Sequence, residues 1–151
     1  MSNYRPADTL SFETTGFVRD TCLCLHVQRA ARAVARRFDE ALRPLDLTNQ
    51  QFSLLVALNR PHPAKMAEVA AVLAMDRTTL TANLKPLERR GLVTVSVDES
   101  DRRSRLLGLA PAGRKLLAKA LPAWKSTHRE VDRLVAGGEP DRLRADLRAL
   151  S

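Results

Sequence analysis

A chain of 151 residues is one domain's worth of sequence and can bury a core of its own. Its 44% hydrophobic and 28% charged residues exclude a disordered or collagen-like chain. The 25 Lys and Arg against 17 Asp and Glu leave a formal charge of +8, which suits a polyanionic partner, nucleic acid first and an anionic membrane second.

The longest apolar run, from Phe52 to Leu58, is far short of the roughly 20 residues that span a bilayer, so no membrane partner is expected. Arg5, Asp8 and Glu13 stand where a secretory signal would be apolar, and a cytoplasmic location follows. Cys22 and Cys24 supply neither a disulfide framework nor a zinc site, and His26, His62 and His128 lie far apart. Free thiols, no metal and no cofactor are expected.

In chain order, Leu23, Val27, Ala30, Val34, Ala41 and Leu45 recur at helical intervals with Arg29, Arg32, Arg36 and Arg43 mostly between them. They predict one long amphipathic helix from Val18 to Leu45. Thr48 and Gln51 form a capping-box pattern that opens a second helix, with Phe52, Leu55, Val56 and Leu58 inward and Pro61 and Pro63 closing it. A short third helix, Lys65 to Ala74, turns Met66, Val69, Ala70 and Leu73 to one side.

Asp76 caps a fourth helix, Arg77 to Arg90, whose Leu80, Leu84 and Leu87 face inward and whose other face carries Thr78, Thr79, Thr81, Asn83 and Lys85. Pro86 predicts a kink or an early end there, because proline in a helix interior costs about 3 kcal/mol. Gly91 sits where a left-handed cap is wanted. Val93, Val95 and Val97 then alternate, Asp98 to Ser104 is polar, and Leu107 and Leu109 resume the alternation, which predicts a β-hairpin with a charged tip.

Pro111 restarts helix, and Leu116, Leu117, Ala120, Leu121, Trp124, Val131 and Leu134 make a broad apolar face, with Trp124 assigned to a dimer core. Gly137 and Gly138 break it before a last helix from Pro140 to Leu150 that shows Leu143, Leu147 and Leu150.

The expected fold is mostly α with a small β-hairpin wing. A winged helix-turn-helix module, residues 47–110, lies between an N-terminal dimerisation region, residues 1–46, and C-terminal dimerisation helices, residues 111–151, within one compact domain. The flanking helices carry more apolar face than one subunit covers, so a homodimer is expected. Such a dimer would set its reading helices about one DNA turn apart.

The fourth helix offers the hydroxyl, amide and ammonium groups that reach base edges in the major groove of double-stranded DNA. At the hairpin tip, Arg102, Arg103 and Arg105 follow Asp101, placed to orient the Arg103 guanidinium as a minor-groove probe.

The run Asp76-Arg77-Thr78-Thr79-Leu80-Thr81-Ala82-Asn83-Leu84-Lys85-Pro86-Leu87-Glu88-Arg89-Arg90-Gly91-Leu92-Val93, then Asp101-Arg102-Arg103, then Leu109-Ala110-Pro111-Ala112-Gly113, resembles the multiple antibiotic resistance regulator (MarR) family. The resemblance covers about Cys22 to Leu134. It implies a homodimeric winged-helix transcription regulator, usually a repressor, released by a phenolic ligand or by oxidation. It places DNA reading on Arg77, Thr78, Thr79, Thr81, Ala82, Asn83 and Lys85 and on the wing residues Asp101, Arg102, Arg103 and Arg105. Ala110 stands where the family usually has a Thr or Ser cap.

Within that family the first helix resembles the organic hydroperoxide resistance branch, since Cys24 precedes Thr48 at the spacing of that branch's reactive cysteine. Gln28 and Phe38 occupy the places of that branch's tyrosines, and no cysteine follows late in the chain. Two residues apart on one helix, Cys22 and Cys24 would point about 200° from each other and could not bridge. Cys24 would share an apolar seam with Ala31, Ala35 and Phe38, whereas Cys22 would share a face with His26 and Arg29 that favours thiolate. Both cysteines read either as small interface hydrophobes or as redox groups.

The expected function is a sequence-specific DNA-binding repressor with a pocket for a small aromatic ligand between its helical base and its winged module. The alternative is a thiol-switched, organic-hydroperoxide-sensing repressor using Cys24 or Cys22. From other classes, a cysteine-dependent peroxidase and a helical interaction module without DNA activity stand further off. No nucleophile, base and orienter can be grouped on the chain, so an enzyme is not expected.

Overall fold

The computed structural model describes residues 10–151, so Arg5 and Asp8 lie outside the described residues. The elements in order are α1 Phe12–Thr21, α2 Leu23–Leu42, a 3₁₀ turn Arg43–Leu45, α3 Asn49–Leu58, β1 Ala64–Lys65, α4 Met66–Val72, α5 Arg77–Arg89, β2 Val93–Asp98, β3 Asp101–Leu109, α6 Pro111–Arg133, a second 3₁₀ turn Ala136–Gly138, and α7 Pro140–Ala149. Two compact units divide the chain, the first ending at Ala35 and the second running Arg36–Ser151.

In the first unit the single long helix expected from Val18 is two helices. The Thr21 hydroxyl donates to the Phe17 carbonyl at 2.7 Å, a back-bond that bends a helix end. Cys22 then leaves the helical region (φ −65°, ψ 106°). Its own N–H still closes α1 on the Val18 carbonyl, and its carbonyl accepts the His26 N–H that opens α2.

In the second unit the end of α2 is tied to the start of α3. Asp39 Oδ1 accepts the Asn49 backbone N–H at 2.7 Å and its amide at 2.8 Å. Thr48 and Gln51 make the expected reciprocal capping box. On α3 the buried set is Phe52, Leu54, Leu55 and Leu58, and Val56 is 48% exposed instead of inward. At 100° per residue the buried arc runs from Leu54 through Leu58 and Leu55 to Phe52, because α3 packs on both α5 and α6. Val56 falls just past its edge.

α4 ends on a Schellman motif in which Met75 N–H bonds the Ala70 carbonyl and Ala74 N–H bonds the Ala71 carbonyl. Ala74 holds the left-handed position at φ 50°, where glycine is the usual occupant. Asp76 caps α5, accepting from the Thr79 N–H at 2.7 Å and the Thr79 hydroxyl at 3.1 Å.

The early end expected at Pro86 does not occur, and α5 runs on to Arg89. Leu80, Leu84 and Leu87 are 0%, 4% and 0% exposed. At about 1.5–3 kcal/mol for each buried leucine, their burial exceeds the proline's penalty. A second Schellman motif follows at Gly91 (φ 69°), with Leu92 N–H on the Leu87 carbonyl and Gly91 N–H on the Glu88 carbonyl.

The sheet is antiparallel in the order β1-β3-β2. Ala64 and Lys65 add a strand to β3 opposite Leu107 and Leu106, an element too short for alternation to announce. The expected hairpin is present, and its polar tip is narrower than the stretch Asp98 to Ser104, since only Glu99 and Ser100 connect β2 to β3. The paired register runs out to Val97 opposite Arg105 and then shifts to Asp98 opposite Asp101, so Arg102, Arg103 and Ser104 of β3 bulge between the two pairs without partners on β2.

Ala110 opens α6 with no side-chain cap, and its own N–H instead bonds the Leu92 carbonyl at 3.0 Å. Gly113 lies so close to that carbonyl that a Cβ would come within 2.0 Å of it. Trp124, expected in a dimer core, packs within its own chain. Its ring stacks on His128 at 4.6 Å and on Phe52 at 6.2 Å, with Phe38 tilted against it at 6.4 Å. Gly137 and Gly138 turn the chain at φ 81° and 69°, and Arg144 of α7 bonds Asp132 of α6 and Asp141.

Three stability measurements check this packing. Gly113→Ala is expected to lower the urea unfolding free energy by about 1–3 kcal/mol through overpacking, and Ala74→Gly to raise it by about 0.5–1 kcal/mol by relieving the left-handed alanine. The Asp76 carboxyl lies below the usual carboxylate range because the Thr79 N–H and hydroxyl bond its charged form. Its contribution is therefore fully present above about pH 4 and lost as pH falls through the lowered folded-state value. Asp76→Asn should flatten that acid limb in urea melts compared with the wild-type chain.

Candidate nucleic-acid interface

The side of α5 opposite its three leucines carries the residues expected to read DNA, but it presents them unequally. The Thr79 hydroxyl is spent on Asp76, and the Thr81 hydroxyl donates to the Arg77 carbonyl at 2.8 Å. The Asn83 amide donates to Gln50 Oε1 at 3.0 Å and to the Thr79 carbonyl at 2.9 Å. Those three are half-buried, whereas Arg77, Thr78, Ala82 and Lys85 are exposed. Thr78, Ala82 and Lys85 fall at i, i+4 and i+7 and share one stripe of the helix. Their side chains make no hydrogen bond or ion pair among the described residues.

Gln50, in the first turn of α3, was not among the expected site residues. Only its adjacency to Asn83 across 33 positions of sequence reveals its part in fixing the amide.

On the wing, the Asp101 carboxylate accepts the backbone N–H of Arg103 at 3.2 Å, and not the guanidinium it was expected to orient. A backbone clamp thus sets where the side chain leaves the strand, while the guanidinium stays in solvent. Arg105 folds back on its own strand, donating to the Arg102 carbonyl at 3.2 Å and the Ser104 carbonyl at 3.4 Å. Arg102 and Arg103 are exposed.

The turn between the strands is organised by Asp98, a buried carboxylate that the sequence did not single out. Its Oδ1 accepts from the Ser100 N–H at 2.9 Å and the Ser100 hydroxyl at 2.6 Å. Lys65 of β1 stands 3.8 Å from its other oxygen. The bonds from Ser100, hydroxyl first, hold the Asp98 carboxyl below the usual carboxylate range.

Three clefts mark the second unit. One of about 460 Å³ lies between α4, the start of α5 and β3, and brings Arg77 together with Asp101, Arg103 and Arg105. The recognition-helix and wing residues expected from sequence therefore meet in one cationic trough. A second, of about 360 Å³, joins Asn49 and Gln50 of α3 to Asp76 and Thr79. A third, of about 430 Å³, is walled by Phe52, Val56, Val72, Leu121 and Trp124 and holds no charged residue.

Arg90 ties the far end of α5 to the turn after α2, donating to the Asp46 carbonyl at 2.6 Å and to the Leu45 carbonyl at 3.2 Å.

The cysteines depart from the expected arrangement. Cys22 is the junction residue between α1 and α2, so the 200° separation of two residues on one helix does not describe the pair. Its tie to His26 is through its carbonyl, which meets His26 Nδ1 at 2.7 Å. Cys24 lies on α2 on the same face as Ala31, Ala35 and Phe38; it is exposed, and its sulfur accepts from the Gln28 amide at 3.4 Å. Among the described residues no three or more His, Cys, Asp or Glu side chains gather where they could hold a metal ion. No described helix is long and apolar enough to cross a membrane.

The sequence model of the MarR family matches residues 45–104, from the turn before α3 to the wing. The chain is similar to the transcriptional activatory protein BadR of Rhodopseudomonas palustris, 35% identical over 95 residues that make up 61% of this chain and 54% of that protein. It is also similar to the organic hydroperoxide resistance transcriptional regulator of Bacillus subtilis, 30% identical over 99 residues, 66% of this chain and 67% of that protein. The chain thus spans about half of the first relative and two thirds of the second. Among solved structures it resembles the M. tuberculosis transcriptional regulator MosR in complex with DNA, with 41% identity, a TM-score of 0.76, and 85% of this chain and 92% of that one covered. With its helix-turn-helix, its three-stranded wing and these likenesses, the chain belongs to the MarR family of winged-helix transcription regulators.

Proposed function

We propose that the chain is a sequence-specific DNA-binding regulator, acting in the cytoplasm as a homodimeric repressor released by a small phenolic ligand. The observation that carries the reading is the cationic trough in which Arg77 of α5 meets Arg103 and Arg105 of β3, beside the free stripe of Thr78, Ala82 and Lys85.

An ammonium, a hydroxyl and a methyl group on one helix stripe match the acceptors and thymine methyls of major-groove edges. Arg103, projecting from a clamped strand, suits a narrow minor groove. Exposed apolar side chains on the terminal helices support a dimer, among them Phe12, Phe17 and Val18 on α1 and Leu143 and Leu147 on α7. Repression needs only occupancy of a promoter, whereas activation needs a further surface for the polymerase. The uncharged third cleft has the size of a small-molecule site. In this reading the chain takes no cofactor and is not an enzyme.

The second reading, a thiol-switched repressor, is favoured by the exposure of Cys24 and by the place of Cys22 at a helix junction. An oxidation product there would act on a break between helices and not on a continuous one.

Fluorescence anisotropy with DNA from upstream of the chain's own gene, reduced and after one equivalent of organic hydroperoxide, separates the two. Binding that survives oxidation and falls with a phenolic ligand supports the first, and binding that oxidation abolishes supports the second. Arg103→Ala is expected to weaken binding and to reduce the slope of log affinity against log salt by about 1. An unchanged slope would remove Arg103 from the interface. Lys85→Ala should reduce discrimination between operator and random DNA by about 1–3 kcal/mol, and equal losses on both would mean that Lys85 meets only phosphate.

A further inference from the structure

We infer that the uncharged cleft between α3, α4 and α6 binds a neutral aromatic molecule and discriminates against aromatic carboxylates. The inference rests on the ligand-released reading above and narrows the chemistry of its ligand.

The clefts of the second unit are similar in size and divided by charge. The trough of about 460 Å³ is lined by Arg77, Arg103 and Arg105, while the cleft of about 430 Å³ is lined by eight residues of which none is charged. Its walls are two aromatic rings and aliphatic side chains, and its lining side chains that can hydrogen-bond are Ser53, through its hydroxyl, and Trp124, through its indole N–H. The Ser53 hydroxyl makes no hydrogen bond among the described residues, so it can donate to or accept from a single polar group on a ligand.

The Trp124 ring is stacked between Phe52 at 6.2 Å and His128 at 4.6 Å, the planes within 15° and 10° of parallel. The His128 ring stacked on Trp124 is itself set among paired charges. His128 Nε2 lies 3.5 Å from Asp132 Oδ2 and 3.5 Å from Arg144 Nη2, and Arg144 is bonded to both Asp132 and Asp141.

A carboxylate entering would lose water and meet only neutral donors with no counter-charge in the lining, a costly case for a buried charge. A neutral ring entering the same space gains apolar burial and contact with aromatic faces and edges. The mouth is open, with Val56 48% and Val72 76% exposed. The volume falls in the range of small-molecule sites, about 300–1,000 Å³, and suits one or two rings.

Trp124 is the only tryptophan of the chain, so its fluorescence reports the cleft directly. The full chain is titrated at neutral pH with acetophenone and with benzoate, nearly isosteric probes that differ in charge. Acetophenone is expected to quench to saturation with a Kd at least about tenfold below that of benzoate. Val72→Lys, which sets an ammonium at the exposed mouth, is expected to narrow or reverse that preference, with Val72→Gln as the uncharged control and far-UV circular dichroism as the check on folding.

Benzoate binding the wild-type chain as tightly as acetophenone would overturn the inference. Saturable quenching by neither probe would also overturn it. DNA anisotropy is read in parallel. Acetophenone binding without loss of DNA affinity would sink the release mechanism and leave the ligand class standing, and absence of DNA binding would sink the regulator reading while the Trp124 signal still judges the cleft.

Discussion

Three leucines on one side of α5 determine what its other side can do. Leu80, Leu84 and Leu87 are buried at the centre of the core, and a helix whose inner stripe is fixed has its outer stripe fixed as well. Thr78, Ala82 and Lys85 face solvent because the leucines cannot. Pro86 sits in that helix without ending it for the same reason: the inner stripe is worth more than one lost amide bond. The Asp76 cap in front and the Gly91 cap behind set where the helix starts and stops, and Asn83 is held from the flank by Gln50. The surface that would meet DNA is thus positioned mainly by contacts on the buried side and at the two ends.

Much of this was legible in the amino-acid order, and what was legible was local. The capping box at Thr48 and Gln51, the Asp76 cap, the left-handed Gly91 and the helical spacing of the α5 leucines each involve residues within a few positions of one another. What escaped depends on residues far apart or on weak local balances. Leu54 replaced Val56 in the core because α3 is packed from two sides, which widens the buried arc beyond one stripe. β1 has two residues and exists only through its pairing with β3. The break at Cys22 follows a threonine back-bond that the apolar spacing of α2 does not register.

The site divides in the same way. Arg77, Arg103 and Arg105 were each picked out by type and position, yet their meeting in one trough depends on how the wing packs beside α4 and α5. Asp101 was chosen for the right neighbour and the wrong bond, since it accepts the Arg103 backbone amide. Lys65, Gln50 and Arg90 were invisible because the partners that give each its role lie far away in the sequence, whereas Asp98 was missed although its partner Ser100 is only two residues on. The stacking of Trp124 on Phe52 and His128 was not legible, because Phe52 lies far away in sequence; the ring is half-buried against the core of its own chain.

The Leu92 carbonyl is a point where three parts of the second unit are joined. It belongs to the residue that follows the α5 cap, it accepts the Ala110 N–H at the foot of β3, and the Gly113 backbone of α6 rests against it. The end of α5, the foot of β3 and the start of α6 therefore meet at one carbonyl, where even a Cβ on residue 113 would not fit. A tilt of α6 would press there on the helix and the wing together. Regulation through such a joint would act as a steering of two rigid probes at once, which a duplex of fixed groove geometry would register as loss of fit.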